Sequence, residues 1–279
     1  MQAAAHTVQA SASPRRRVRA PGWQPVARAL APWLLPFGLL AGWFLATDGL
    51  HLLPAHQLPS PRAVVRAAGD LLAGGELFRH VAASVQRVAL GFFFGAAVAM
   101  LLGLWVGLSR GAERLLDPTI QAIRNVPSLA WVPFLLLWMG IDELPKVTLV
   151  AIGAFFPVYL NLVSSIRQTD RKLVELGQVF GLTEMGLVRH IVLPAALPSL
   201  LTGLRIGLGQ SWLFLVAAEL IASTRGLGFL LIDGQNSARA DIMLVGILLL
   251  AVLGKASDGA LRLLERRLLV WTGGFGGVT

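Results

Sequence analysis

Residues 170–194 read DRKLVELGQVFGLTEMGLVRHIVLP, and the fold turns on what this charged, glycine-jointed stretch connects. On either side lie long apolar runs, at about 145–166 and 194–222. Four more follow the same pattern, at about 29–47, 81–108, 118–141 and 242–264, the third interrupted by Pro127 and Pro133. A bilayer core takes about 20 consecutive apolar residues per helix, so each run reads as a membrane span. Composition agrees: 55% of the 279 residues are hydrophobic and 14% charged, with a mean hydropathy of +0.68. Lipid-exposed backbone must satisfy its own hydrogen bonds, and the runs are continuous rather than alternating, so helices are predicted and a barrel is excluded. The expectation is an all-α membrane protein with six transmembrane helices.

Six spans put both termini on one side, and the distribution of basic residues says which. Fifteen lysines and arginines fall on one side: Arg15, Arg16, Arg17, Arg19, Arg28, Arg110, Arg114, Arg124, Arg167, Arg171, Lys172, Arg189, Arg262, Arg266 and Arg267. Six fall on the other: Arg62, Arg66, Arg79, Lys146, Arg225 and Arg239. Both termini and the 170–194 segment are therefore predicted to be cytoplasmic. The net charge of +9 is then topological, facing anionic lipid, and a nucleic-acid partner is not predicted. Residues 1–28 read as a disordered cytoplasmic tail, 29–270 as the transmembrane domain and 271–279 as a C-terminal tail. A cleaved signal peptide over the first run is the alternative, but no small-residue cleavage site follows it. In the outer segment 51–80, Ser60 and Pro61 mark a helix start. His51, His56 and His80 lack metal-ligand spacing, and the absence of cysteine excludes thiolate sites.

Within 170–194, helical periodicity places Leu173, Leu176 and Phe180 on one face and Arg171, Glu175 and Gln178 on the opposite one. Arg171 and Glu175 are four apart and can pair. Gly181 reads as the helix stop, Thr183 and Gly186 open a second short element, and Pro194 is expected to separate that element from the next span. Such an amphipathic helix can lie in the bilayer surface or dock on a partner.

The spacing Glu175, Gly181, Ile191, Leu193, Pro194 resembles the EAA-loop signature E-A-A-x3-G-x9-I-x-L-P of ABC importer permeases, with Leu176 and Gly177 where the signature has two alanines. LPSP (58–61), RNVPSLAWVPFLLLWMGI (124–141), LPAALPSLLTGLRIGLGQSW (193–212) and RLLERRLL (262–269) are similar to the nitrate, sulfonate, taurine and bicarbonate group, above all to aliphatic sulfonate permeases. The resemblance implies a type I ABC importer permease fold with a cytoplasmic coupling helix, in the bacterial inner membrane. It implies that Leu173, Glu175, Leu176, Gly177, Phe180, Gly181, Ile191, Leu193 and Pro194 couple the pore to ATP-binding cassette ATPase subunits, with Glu175 holding the loop's own hydrogen bonds. An extracytoplasmic solute-binding protein, a homodimeric pore and a small anionic solute are the other implications. ATP and magnesium would sit on the partner ATPase, and no cofactor is expected in this chain.

The P-loop pattern G-x4-G-K-[ST] is absent; Gly254-Lys255-Ala256 lacks both the hydroxyl residue and the upstream glycine. Arg87, Arg205 and Glu219 fall within or near spans, where they either line a substrate path or, for the arginines, snorkel to the interfaces while Glu219 finds a partner. Gln210, Ser211 and Trp212 can bind solute or join helices. Gly203, Gly207 and Gly209 suggest a close helix contact, at a homodimer seam. Pro127 and Pro133 are expected to kink the third span. For Gly226 and Gly228 the resemblance implies a re-entrant or gate-like helix, and a plain loop would read the same. The alternative function is a self-sufficient secondary transporter, for which no internal repeat is evident; a membrane-embedded enzyme lacks a supporting motif.

Overall fold

The computed structural model describes residues 24–269; the 1–23 part of the expected N-terminal tail and all of the 271–279 tail lie outside the described residues. Two compact units divide at Leu52. The first contains α1 (Gln24–Phe44), which continues into a π-helical turn, Leu45–Gly49. The helix starts inside the segment expected to be a tail.

The second unit opens with α2 (Pro61–Ala73), started as expected: Ser60 Oγ accepts from Ala63 N at 3.3 Å and Pro61 stands in the first turn, where its missing N–H costs nothing. The bundle proper consists of α3 (Glu76–Leu108), α6 (Glu143–Arg167), α9 (Leu193–Ala222) and α11 (Ala240–Leu268). Between them lie α4 (Arg110–Arg124), α5 (Val132–Met139), α7 (Arg171–Val179), α8 (Glu184–Leu187) and α10 (Leu227–Asn236).

Helix α6 is central. A row of glycines on α3 lets the two backbones approach: a Cβ at Gly95 would lie 2.3 Å from the Ala151 carbonyl oxygen, and one at Gly91 2.6 Å from Val150. Gly107 meets Ile166 in the same register, so α3 and α6 run parallel. On its other side α6 receives α9 antiparallel, with Gly203 against Asn161 and Pro157, and Gly207 against Ala154. The contact expected at a homodimer seam is therefore made within the chain; only Gly209 faces open space. Tyr159, Val158 and Val106 close the core between these helices.

The third run departs from expectation. Residues 118–124 belong to the strongly amphipathic α4, which is capped by Ser109 and tied to α6 through Arg167–Glu113 at 2.9 Å and Tyr159 Oη donating to Asp117 at 3.0 Å. Pro127 marks the break, a 3-10 turn spans Ser128–Trp131, and the chain bends by 90°. Pro133 sits in the first turn of α5, so it starts a helix instead of kinking one. Among the described residues four helices are long and apolar enough to cross a membrane, or five if this bent pair is one span.

A second correction concerns Pro194. It does not interrupt the chain: α8, a π-helical turn at Val188–Val192 and α9 form one helical run, Glu184–Ile221. The π turn, which closes with Leu193 N–H donating back to Val188 O, leads straight into α9, where Pro194 stands in the first turn.

Candidate functional site

The segment 170–194 forms an elbow at the end of the bundle where α6 finishes and α9 begins. Asp170 accepts from Lys172 N at 2.9 Å and starts α7. Gly181 ends it with φ +76°, a conformation that costs a side-chain-bearing residue about 1–2 kcal/mol. Its N–H donates to Gln178 O, and Leu182 N donates back to Gly177 O at 3.0 Å, the paired bonds of a Schellman stop. The chain then reverses, and Thr183 caps α8 by accepting from Gly186 N at 3.2 Å. Gly177 makes the hairpin close, since a Cβ there would stand 2.5 Å from Ile191 Cδ1 and 2.6 Å from Leu187 Cδ2.

Among the described residues nothing covers the apolar face of α7. Leu176 is 53% and Phe180 77% exposed, with Leu173 beside them. Together with Gly177, Ile191 and Pro194 these residues line an open groove of about 600 Å³. Glu175, Gly181 and Leu193 stand outside its lining. Glu175 pairs with Arg171 at 2.9 Å on the opposite face, as its spacing suggested, and makes no bond to the loop backbone. The role expected for it inside the loop is not what the structure shows, because a helix-face pair across one turn keeps its carboxylate away from the 181–183 backbone.

At the far end of the bundle the chemistry is reversed. Arg87 on α3 is 4% and Glu219 on α9 is 1% exposed. Arg87 Nη1 donates to Glu219 at 2.6 Å and to Arg225 O at 2.7 Å, while Nε and Nη2 grip both oxygens of Glu143 at 2.6 and 2.7 Å. Ser84 Oγ donates to Glu219 at 2.8 Å and accepts from Leu227 N; Gly228 N donates to the same carboxylate. His80 Nδ1 accepts from Gly226 N, and its ring stacks on Phe229. A Cβ at Gly226 would stand 2.3 Å from the Glu219 carboxyl, so the glycine there is required by close approach. The cluster thus locks the 223–228 turn and the start of α10 onto α3 and α9. The sequence points to Arg87 and Glu219 but not to Ser84 or Glu143 as their partners, since Ser84 and Glu219, like Arg87 and Glu143, are far apart in the chain; only the Glu143–Lys146 pair, three residues apart on α6, is local.

Arg205 belongs to a different cluster. Its Nε donates to Asp258 at 3.0 Å and its Nη1 to Glu265 at 3.2 Å, joining α9 to α11, so it is paired and does not snorkel free. Trp212 Nε1 donates to Ser257 in the same seam and joins α9 to α11, whereas Ser211 Oγ donates to Gly207 O one turn back on α9 and reaches Val150 O of α6 at 3.5 Å. Gln210 makes no side-chain hydrogen bond among the described residues, and it stands apart from Glu219. Those residues contain no group of three or more His, Asp or Glu arranged to hold a metal ion.

A family model described as "Binding-protein-dependent transport system inner membrane component" matches residues 90–270. The putative aliphatic sulfonates transport permease protein SsuC of Escherichia coli (strain K12) is 45% identical over 242 residues, covering 87% of this chain and 92% of the relative. SsuC of Bacillus subtilis (strain 168) is 41% identical over 88% of each chain. The taurine transport system permease protein TauC of Escherichia coli (strain K12) is 36% identical over 84% of this chain and 86% of its own. Among solved structures, the inward-facing MetNI methionine ABC transporter matches with a TM-score of 0.59 at 22% identity, over 70% of this chain and 97% of that one. That likeness shows the fold alone, the type I ABC importer permease fold. The chain therefore belongs to the binding-protein-dependent transport system inner membrane components, as a multi-pass permease subunit of an ABC importer whose ATP hydrolysis resides in a separate subunit.

Proposed function

We propose that the chain forms, as a homodimer of six-span subunits embedded in lipid, the pore for a small anionic solute of the sulfonate, taurine or nitrate class. Both termini are cytoplasmic, an orientation supported by fifteen basic residues on that side against six on the other. The solute arrives on an extracytoplasmic binding protein. ATP and magnesium act on two ATPase subunits, and Leu173, Leu176, Phe180 and Pro194 receive their motion.

The observation that carries this reading is the uncovered apolar groove on the α7 elbow, beside a helix continuous with a long span. An exposed apolar groove of this kind marks a docking surface. A short helix braced at Gly177 against Ile191 and Leu187 moves as one body with α8 and α9, so a push on α7 reaches the membrane interior. The anionic class rests on the sulfonate and taurine relatives.

The test is co-expression with the cognate ATPase and binding protein, followed by purification and reconstitution into liposomes. The ATPase is expected to co-purify, and labelled taurine or ethanesulfonate uptake to require ATP. Uptake that proceeds without the ATPase, driven by a proton gradient, contradicts the reading and revives a secondary transporter.

A further inference from the structure

The cluster around Arg87 holds two carboxylates in unlike ways. Glu219 is buried and bound by Arg87, the Ser84 hydroxyl and the Gly228 amide, so neutral donors hold it in place as well as the cation. Glu143 is the first residue of α6, its side chain is 56% exposed, and among the described residues its hydrogen bonds come from Arg87 and Lys146. Lys146 is itself 5% exposed, and Glu143, 3.1 Å from its Nζ, is its sole ion-pair partner among the described residues. Two buried cations therefore share one half-exposed carboxylate that no backbone group secures.

We infer that Arg87 and Lys146 form an anion site which Glu143 fills in this conformation, and that a sulfonate-class anion replaces the Glu143 carboxylate during transport. The inference rests on the anionic-solute reading above. If Glu143 rotates away, Arg87 keeps Glu219 while Lys146 is left with no ion-pair partner among the described residues, and the buried site carries a net positive charge. That state is costly until an anion enters. The Nε and Nη2 donors that grip both Glu143 oxygens match any group presenting two oxygens on one atom, a sulfonate as readily as a carboxylate. Exchange of one anion for another leaves the buried charge unchanged, so the swap avoids exposing the cations to an empty site. Glu219 does not take part, because displacing it would also strand Ser84 and Gly228 N and free the 223–228 turn.

Equilibrium binding of radiolabelled ethanesulfonate to the full chain, purified with its ATPase in lipid nanodiscs, tests this. Glu143→Gln keeps the side chain's shape and removes its charge; it is expected to bind the probe about tenfold tighter than the parent, a gain of about 1.4 kcal/mol. Methanesulfonate is expected to compete and the neutral dimethyl sulfone not to. Adding Lys146→Met should return binding to the parental level. A Glu143→Gln complex with parental thermal stability and no gain in binding overturns the site. So does failure of both Glu143→Gln and Glu143→Asp to accumulate even with ethanesulfonate in the medium, since the carboxylate is then a fixed structural member. If the parent imports sulfonate under ATP while the variant gains no binding, only this site is lost. A parent that shows no ATP-dependent sulfonate uptake removes the anionic-solute reading itself.

Discussion

The two ends of the bundle invert the ordinary rule for side chains. At the end gathering the starts of α3 and α6, charged groups are buried: Arg87 and Glu219 are almost wholly covered. At the opposite end, apolar groups are bare, with Phe180 77% exposed on a helix that packs through Gly177. Buried charge demands complete partnering, which the chain supplies from α3, α6, α9 and the 223–228 turn. Exposed apolar area demands a cover that the described residues do not supply. At the first end Glu219 and its donors hold the fold from within; the second end is unfinished without another surface.

Substitutions break this contrast in order of size. Glu219→Ala strands the buried Arg87 guanidinium, Ser84 and the Gly228 amide, and should cost about 3–5 kcal/mol, read as lost abundance or a lowered unfolding temperature in detergent. Gly95→Leu forces α3 off the Ala151 backbone and should cost about 1–3 kcal/mol by the same readout. Gly181→Val strains the positive-φ stop of α7 by about 1–2 kcal/mol without meeting any neighbour, and ATP hydrolysis should uncouple from uptake while insertion survives. Phe180→Asp should alter stability by less than about 0.5 kcal/mol, yet abolish co-purification of the ATPase. Glu175→Ala removes only an exposed one-turn pair and should leave stability within a few tenths of a kcal/mol and coupling unchanged. If Phe180→Asp destabilised as much as Glu219→Ala, the contrast between the two ends would fail.

What the sequence made legible follows the range of the forces involved. The α7 helix, its Arg171–Glu175 pair and its Gly181 stop are local events decided within ten residues, and the structure has all three. So is the Ser60–Pro61 start of α2. The bent third run was harder, because prolines announce a break but not whether they end one helix or begin the next; Pro127 does the first and Pro133 the second. Pro194 does not separate α8 from α9, since a π turn, invisible in hydropathy, leads the helix into it. The glycine spacing on α9 signalled a close contact correctly and its partner wrongly, as a helix face does not state which helix it meets. The four-residue glycine spacings on α3, Gly91 with Gly95 and Gly103 with Gly107, carry the same signal, and the helix they meet is α6. For the buried cluster, Ser84 and Glu219 stand 135 residues apart, and nothing but the fold brings them together.

The central claim is that the α7 groove is covered by an ATPase subunit, and a photo-crosslinking residue placed at Phe180 in the assembled importer, in native membranes, addresses it most directly. The account predicts a crosslinked product between this chain and the ATPase, diminished when Gly177→Val opens the elbow behind it. Crosslinks to lipid alone, with transport intact, would contradict it.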